Sequence, residues 1–514
     1  MTTAESHEPV RSAEPESCTT AGRVRGRWEG GLAVFRGIPY AAPPVGEARF
    51  QAPRPVPGWD GTREAHAFGP PPPQEAAFQG RTGAPDLPGG DDWLTVNVWT
   101  PDPGPTDRRP VMVWIHGGAY KLGFSGSPGY DARHIARDGD LVVVTLNYRL
   151  GIEGFAHIDG APANRGLLDQ VAALEWVREN IAAFGGDPGQ VTVFGESAGA
   201  GSIAALLAMP RAAGLFRRAI AQSVPGTYFS DDLARDIATA LATEAGLRPT
   251  VAGLAGVDPR QLPAAGEILG ARMRQYEDRW GQLARTQSLF SPVVDGEVLP
   301  ATPWQALSNG TARDVELIIG HNRDEFRLFV ALSGQLGKIG DDQATEALRV
   351  FGPGPDGERA YREAFLGASA GELYELVQTD WLFRMPSLRL AEAQVTGGGR
   401  AHVYELTWQA PGNGGAFGAC HGLDGTLLFG TFDAHLGPLL LGPEPSAEAR
   451  SLSSRFRATW TAFATTGDPG WPAYDPDRRL VQVLDSDPVV TAYPEETSRR
   501  LWQDHDFPAL PLIK

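Results

Sequence analysis

The chain has 514 residues, with 62 Asp and Glu against 45 Lys and Arg and a formal net charge of −17. That length permits one large domain with insertions or a few smaller ones, and the acidic balance, without any Lys/Arg run, excludes a face that could track a phosphate backbone; no nucleic-acid partner is expected. Only Cys18 and Cys420 occur, so no disulfide framework is implied. No apolar run approaches a membrane span and the opening MTTAESHEPVRSAEPES lacks the apolar stretch of a secretory signal, so a cytoplasmic protein without stable membrane anchoring is expected.

Taken in chain order, residues 1–20 are rich in Ser, Thr, Glu and Pro and are expected to form a disordered tail, with folded sequence beginning near Gly22. A Pro/Gly-rich stretch from Ala65 to Gly90 reads as a long surface loop, and its length suggests the rim of a site. Short apolar, β-branched runs follow at Leu94–Trp99, Val111–Ile115, Leu141–Leu146 and Val191–Phe194, which predict buried strands. Between the last two, Leu167, Val171, Leu174, Val177 and Ile181 recur at helical spacing, with Asn164 as the expected cap and Gly185-Gly186 then Pro188 as the stop. Further strands are expected at Val315–Ile319, His402–Leu406 and Leu480–Leu484, with helical insertions around 230–290 and 330–400. Alternation of this kind predicts an α/β fold with a large, mostly parallel central sheet flanked by helices.

Two glycine-rich segments carry the chemistry. VTVFGESAGAGSIAALLA takes a β-branched strand through Gly195-Glu196-Ser197-Ala198-Gly199 straight into an Ala/Leu-rich helix, the pattern of a nucleophile elbow. A serine on so sharp a turn needs small neighbours two residues away on each side, and the helix N-terminus then aims its amides at developing negative charge. At the end of PVMVWI, His116-Gly117-Gly118-Ala119-Tyr120 frees backbone amides for an oxyanion hole, where each donor is typically worth about 10²–10³ in rate. The base is open among five histidines after Ser197: His321, His402, His421, His435 and His505. His402 sits in an expected strand, whereas His421 lies in the loop NGGAFGACHG; for the orienting acid, GHNRDEF offers Asp324 and Glu325. No metal-ligand spacing and no P-loop ending is present, so neither metal nor cofactor is expected.

These residues resemble the type-B carboxylesterase and cholinesterase family of α/β-hydrolases, in particular its bacterial para-nitrobenzyl esterase-like members. The resemblance rests on GRVRGRWEGGLAVFRGIPYAAPPVGEARF, DDWLTVNVWTP, VMVWIHGGAY, NYRLGIEGF, the stretch from NRGLLDQ to GESAGA, SPVVDGEVLP, GHNRDEF and GACHG, in that order. It implies a single α/β-hydrolase domain over 21–514 with insertions rimming the site, and a catalytic triad of Ser197, Glu325 and His421. It also implies an oxyanion hole from the N–H groups of Gly118, Ala119 and Ala198, with Glu196 and Ser223 as supports and Asp91 paired with Arg149 beneath the site. The implied activity is hydrolysis of short or medium acyl or aryl carboxylic esters, with a small ester and water as the only partners. Where many secreted relatives read EDCL, this chain reads Asp91-Asp92-Trp93-Leu94, so the disulfide of that loop is absent. Tyr120, Phe124, Phe326 and Phe329 are candidates for an apolar acyl pocket.

Overall fold

In the computed structural model, which describes residues 13–74, 89–286 and 288–513, the apolar runs assemble into one sheet. Its strands are β1 (Arg27–Glu29), β2 (Leu32–Pro39), β3 (Thr95–Thr100), β4 (Arg109–Ile115), β5 (Val142–Leu146) and β6 (Gly186–Glu196). They continue with β7 (Arg218–Gln222), β8 (Glu316–Asn322), β9 (Arg400–Leu406), β10 (Leu480–Leu484) and β11 (Val489–Ala492). The eleven lie in the order β11-β10-β9-β8-β7-β6-β4-β5-β3-β2-β1. All pairs from β5 through β10 are parallel, and the outer pairs are antiparallel.

Both faces of the sheet are covered, which is why its central strands are apolar without interruption. The helices that matter here are α1 (Arg165–Asn180), α2 (Ala198–Ala208), α3 (Ala370–Thr379), α4 (Met385–Thr396) and α5 (Ala447–Thr466). Strand alternation splits the core in two. Val111, Val113 and Ile115 of β4 join Leu167 and Leu174 of α1, Ile203 of α2 and Leu388 of α4. Met112 and Trp114 point the other way, to Phe456 and Trp460 of α5. At about 25 cal/mol per Å² of apolar area, these two layers supply the main drive to fold. Among the described residues no helix is long and apolar enough to cross a membrane.

The seven expected strands all form, with ends moved by a few residues. β1, β2, β7 and β11 carried too weak a pattern to anticipate: β7 is Arg-Ala-Ile-Ala-Gln, with one β-branched residue, and it becomes a buried strand because β6 and β8 pair with it on both sides. Ordered chain also begins earlier than Gly22. Glu16–Cys18 pairs antiparallel with Arg23–Arg25, and Ser17 Oγ donates to Ala183 O at 2.8 Å, so backbone pairing overrides the polar composition there. Asn164 precedes α1, but its amide does not cap the helix; it bridges to the backbone of Val293, accepting at 2.7 Å and donating at 2.8 Å. Most of the Ala65–Gly90 loop, residues 75–88, lies outside the described residues. Helices Asp231–Glu244 and Pro263–Gly270 occupy the first expected insertion, and Asp341–Phe351, Gly357–Ala364 and α3 the second.

Candidate active site

Because β4, β6, β8 and β9 run parallel, the loops that leave their carboxyl ends meet at one edge of the sheet, where ligands of open α/β folds bind. Those four loops hold Gly117–Tyr120, Ser197, Asn322–Phe326 and Gly418–Gly422, so one topological fact gathers the sequence candidates.

Ser197 sits between β6 and α2 at φ 60° and ψ −125°, a conformation that costs a non-glycine residue about 1–3 kcal/mol and persists only when its surroundings enforce it. The enforcement is visible in the flanking glycines. A Cβ on Gly195 would lie 2.6 Å from the carbonyl of Ile115, and one on Gly199 only 2.0 Å from it, so β4 packs against the turn with no room for a side chain. The amide of Ala198 is the first of α2, unspent by the helical ladder. Gly118 and Ala119 hold positive φ, 113° and 53°, and their N–H groups make no hydrogen bond among the described residues. His116 anchors this loop from beneath: its Nδ1 is 2.8 Å from the Gly117 carbonyl, its ring stacks on Tyr148, and burial pushes its pKa down to about 4, so it stays neutral.

The histidine and carboxylate side is assembled across the chain. His421 Nδ1 is 2.6 Å from Glu325 Oε2, and both side chains are buried. Glu325 Oε1 accepts from Ser223 Oγ at 2.5 Å and from the Asn322 amide at 2.8 Å, which leaves it fixed as an acceptor. Asp324, the alternative acid, is spent elsewhere: its carboxylate takes the Ala419 amide at 2.9 Å, its own amide donates to Ala419 O at 2.9 Å, and the His421 amide donates to Glu325 O at 3.3 Å. The acid loop and the histidine loop are thereby zipped together. On the far side of the ring, His421 Nε2 approaches Glu196 Oε1 to 3.2 Å without the alignment of a hydrogen bond, which brings Nε2 to the elbow. Ser197 Oγ makes no side-chain hydrogen bond among the described residues; such contacts commonly tighten only once substrate binds.

The charge balance follows from this crowding. Burial opposes a charged imidazole, but Glu196, Glu325 and Asp424 outweigh it and push the pKa of His421 up to about 9. Burial in turn pushes Glu196 up to about 7, against the pull of His421. Of the other candidates, His435 lies against Tyr130 and His505 against Trp502 and Phe507, and two are held by hydrogen bonds. His402 Nδ1 faces Trp471 O at 3.0 Å, and His321 lies between Asn322 O and Tyr493 OH with its pKa pushed by burial down to about 3.

Two expectations fail here. Arg149 does not pair with Asp91: fully buried, it makes a two-pronged bond to Asp169 at 2.7 and 2.8 Å, while Asp91 is exposed and meets Arg260 at 3.0 Å. Asp169 lies on α1 and Arg149 in the loop that follows β5, and a buried guanidinium takes the carboxylate that shares its dry environment. Of the four candidate pocket aromatics, Tyr120 and Phe124 pack inward against Phe155 and Phe68, whereas Phe329 comes to 5.2 Å from the His421 ring and Phe326 backs it at 5.3 Å. Sequence reasoning missed Phe383, which stacks on His421 at 4.4 Å. The one signal for it is Pro386 inside the helical run WLFRMPSLRL, which marks a broken helix. Among the described residues, the one cluster with metal-ligand spacing is Glu14, Glu64 and His66, which includes no residue of this site.

Residues 13–502 match the model of the carboxylesterase family. The para-nitrobenzyl esterase of Bacillus subtilis is 37% identical over 94% of this chain and 97% of its own length, and the phenmedipham hydrolase of Pseudarthrobacter oxydans is 37% identical over 91% and 95%. Among solved structures, a para-nitrobenzyl esterase superposes with a TM-score of 0.84 at 37% identity, over 95% of this chain and 99% of that one. A Geobacillus stearothermophilus carboxylesterase gives 0.82 at 35%, over 95% and 100%.

Proposed function

The chain belongs to the carboxylesterase family, has the α/β-hydrolase fold and is a carboxylic ester hydrolase, and from that premise we propose that Ser197, His421 and Glu325 act as nucleophile, base and orienting acid. The observation that carries the assignment is the buried 2.6 Å contact of His421 Nδ1 with Glu325 Oε2, with the opposite edge of the ring, Nε2, turned to the residue beside Ser197.

In this reading His421 Nε2 takes the Ser197 proton as Oγ attacks the ester carbonyl. The carbonyl π-pair moves onto oxygen, where the amides of Gly118, Ala119 and Ala198 receive it. Collapse breaks the bond to the alkoxy group, which leaves as alcohol with the proton from His421. Water then gives a proton to the same nitrogen and attacks the acyl-enzyme, releasing the acid and restoring Ser197 Oγ–H. Glu325 holds the tautomer and stabilises the imidazolium without itself taking the proton. Ser223, by donating to Glu325, and Glu196, by facing Nε2, act as supports.

Phe329 and Phe383 beside His421 favour an apolar or aromatic group on the substrate, so short or medium acyl and aryl esters are the proposed class. The cytoplasm is the proposed compartment, in keeping with two free thiols. The test is turnover of para-nitrophenyl butyrate and covalent labelling by an organophosphonate, in wild type and Ser197→Ala at pH 8. Both are expected in wild type and neither in the variant; no labelling of folded wild type would overturn the assignment.

A further inference from the structure

Between α3 and α4 the backbone widens into a π-turn, Asp380–Arg384, a local irregularity often found at functional sites. Just beyond it, Pro386 has no N–H to give the carbonyl of Leu382. That carbonyl instead accepts from the Gly226 amide at 2.8 Å, and one residue beyond Pro386 Ser387 Oγ accepts from the Val224 amide at 3.0 Å. The segment carrying Ser223 is therefore hung on this turn. The same turn grips the acid loop on both sides of Glu325. Arg384 Nη2 donates to Arg323 O at 2.6 Å, and the Phe326 amide donates to Thr379 Oγ1, the last residue of α3, at 3.1 Å. Arg384 is itself held by Asp380, whose other oxygen accepts from Tyr361 OH at 2.6 Å. Finally, Phe383 lies on the His421 ring at 4.4 Å with 28° between the planes, and Phe329 stacks on Phe383 in turn.

We propose that Thr379 to Arg384 form a brace that sets the reacting geometry of the base and acid: Thr379 and Arg384 position Glu325 through its chain neighbours, and Phe383 fixes the plane of His421. These are positioning residues, and the proposal rests on the reading of Ser197, His421 and Glu325 as the triad. Acid loop, histidine ring and Ser223 segment are far apart in sequence, and one helical irregularity touches all three; nothing in helix packing alone demands that. A carboxylate displaced by about 1 Å from a catalytic imidazole can cost up to ~10²-fold in rate, so a brace of this kind has a kinetic signature.

The test uses full-length protein with para-nitrophenyl butyrate over pH 6–10. Thr379→Val removes the acceptor of the Phe326 amide at nearly constant volume; Thr379→Ser keeps it; Phe383→Leu keeps apolar bulk without the ring. Thr379→Val is expected to lower kcat about tenfold with KM little changed, and Thr379→Ser to restore it. The charged groups facing His421 are Glu325, Glu196 and Asp424; a loosened Glu325 stabilises the imidazolium less, so the acidic limb of kcat/KM moves to lower pH in Thr379→Val. Should Thr379→Val not fold, Phe383→Leu carries the same expectations for kcat and the limb. Wild-type kcat and an unmoved limb in the folded variants would overturn the brace, as would a loss that Thr379→Ser fails to restore. Labelling of Ser197 that vanishes in Ser197→Ala shows that Ser197 is the nucleophile whichever way the brace falls.

Discussion

Ser197 takes its geometry from five consecutive residues, Gly195 to Gly199, pressed against the end of β4. His421 and Glu325, 96 residues apart in the chain, take theirs from two zipped loops, a serine after β7 and a π-turn between two helices. The first region is a local solution: strand, strained turn, helix, with the glycines demanded by a neighbouring carbonyl. The second is a tertiary solution, in which the contacts that join acid, base and supporting serine are long-range and each partner is held by something held elsewhere. A local device tolerates change in its surroundings but not in itself; an assembled one can be weakened by degrees from many places.

That contrast is sharpest in the size of mutational effects. Replacing Ser197 by Ala is expected to lower kcat by about 10⁴-fold or more, an all-or-none loss read by steady-state ester turnover, because the group removed is the proposed nucleophile. Glu325→Gln leaves the shape but loses the fixed acceptor and the stabilisation of the imidazolium, so a fall of about 10³–10⁴ is expected, with labelling by an organophosphonate slowed rather than abolished. Arg149→Met should leave Asp169 as an uncompensated buried charge and destabilise the fold by roughly 3–5 kcal/mol in denaturant titration. The exposed Asp91→Asn should change stability by no more than about 1 kcal/mol. The reverse ranking of those two would restore the pairing expected from resemblance. The mildest change is Glu196→Gln. Rate requires neutral His421, whose pKa the Glu196 carboxylate helps to hold near 9, so kcat/KM rises with pH through that region. Removing the carboxylate lowers the imidazolium pKa, and the acidic limb should shift to lower pH; a shift to higher pH would contradict the electrostatics given above.

The same contrast explains what could be read in advance. The elbow and the HGGA loop are contiguous, so strand, glycines and helix announce them in one pass. His421 could be favoured over His402 because one lies in a glycine loop and the other in a strand, yet Glu325 and Asp324 are adjacent and only the fold separates them: Asp324 latches the backbone of Ala419, and Glu325 reaches the ring. The resemblance had already pointed to Glu325, but it gave Arg149 the wrong partner, because Asp91 has an exposed alternative in Arg260 and Arg149 a buried one in Asp169. β7 and Phe383 were invisible for one reason. Arg-Ala-Ile-Ala-Gln is a strand only because two others flank it, and Phe383 is a site residue only because a π-turn rotates it onto a histidine. Neither fact has a period or a motif.

The most direct test of the central claim is to catch the acyl-enzyme. Para-nitrophenyl butyrate would be mixed with protein at pH 8, quenched in acid within the first turnovers, digested and mapped by mass spectrometry. A butyryl group on the peptide that spans Ser197, absent in Ser197→Ala, is the predicted result. Turnover with no acyl group on that peptide, or with one on another residue, would contradict the account.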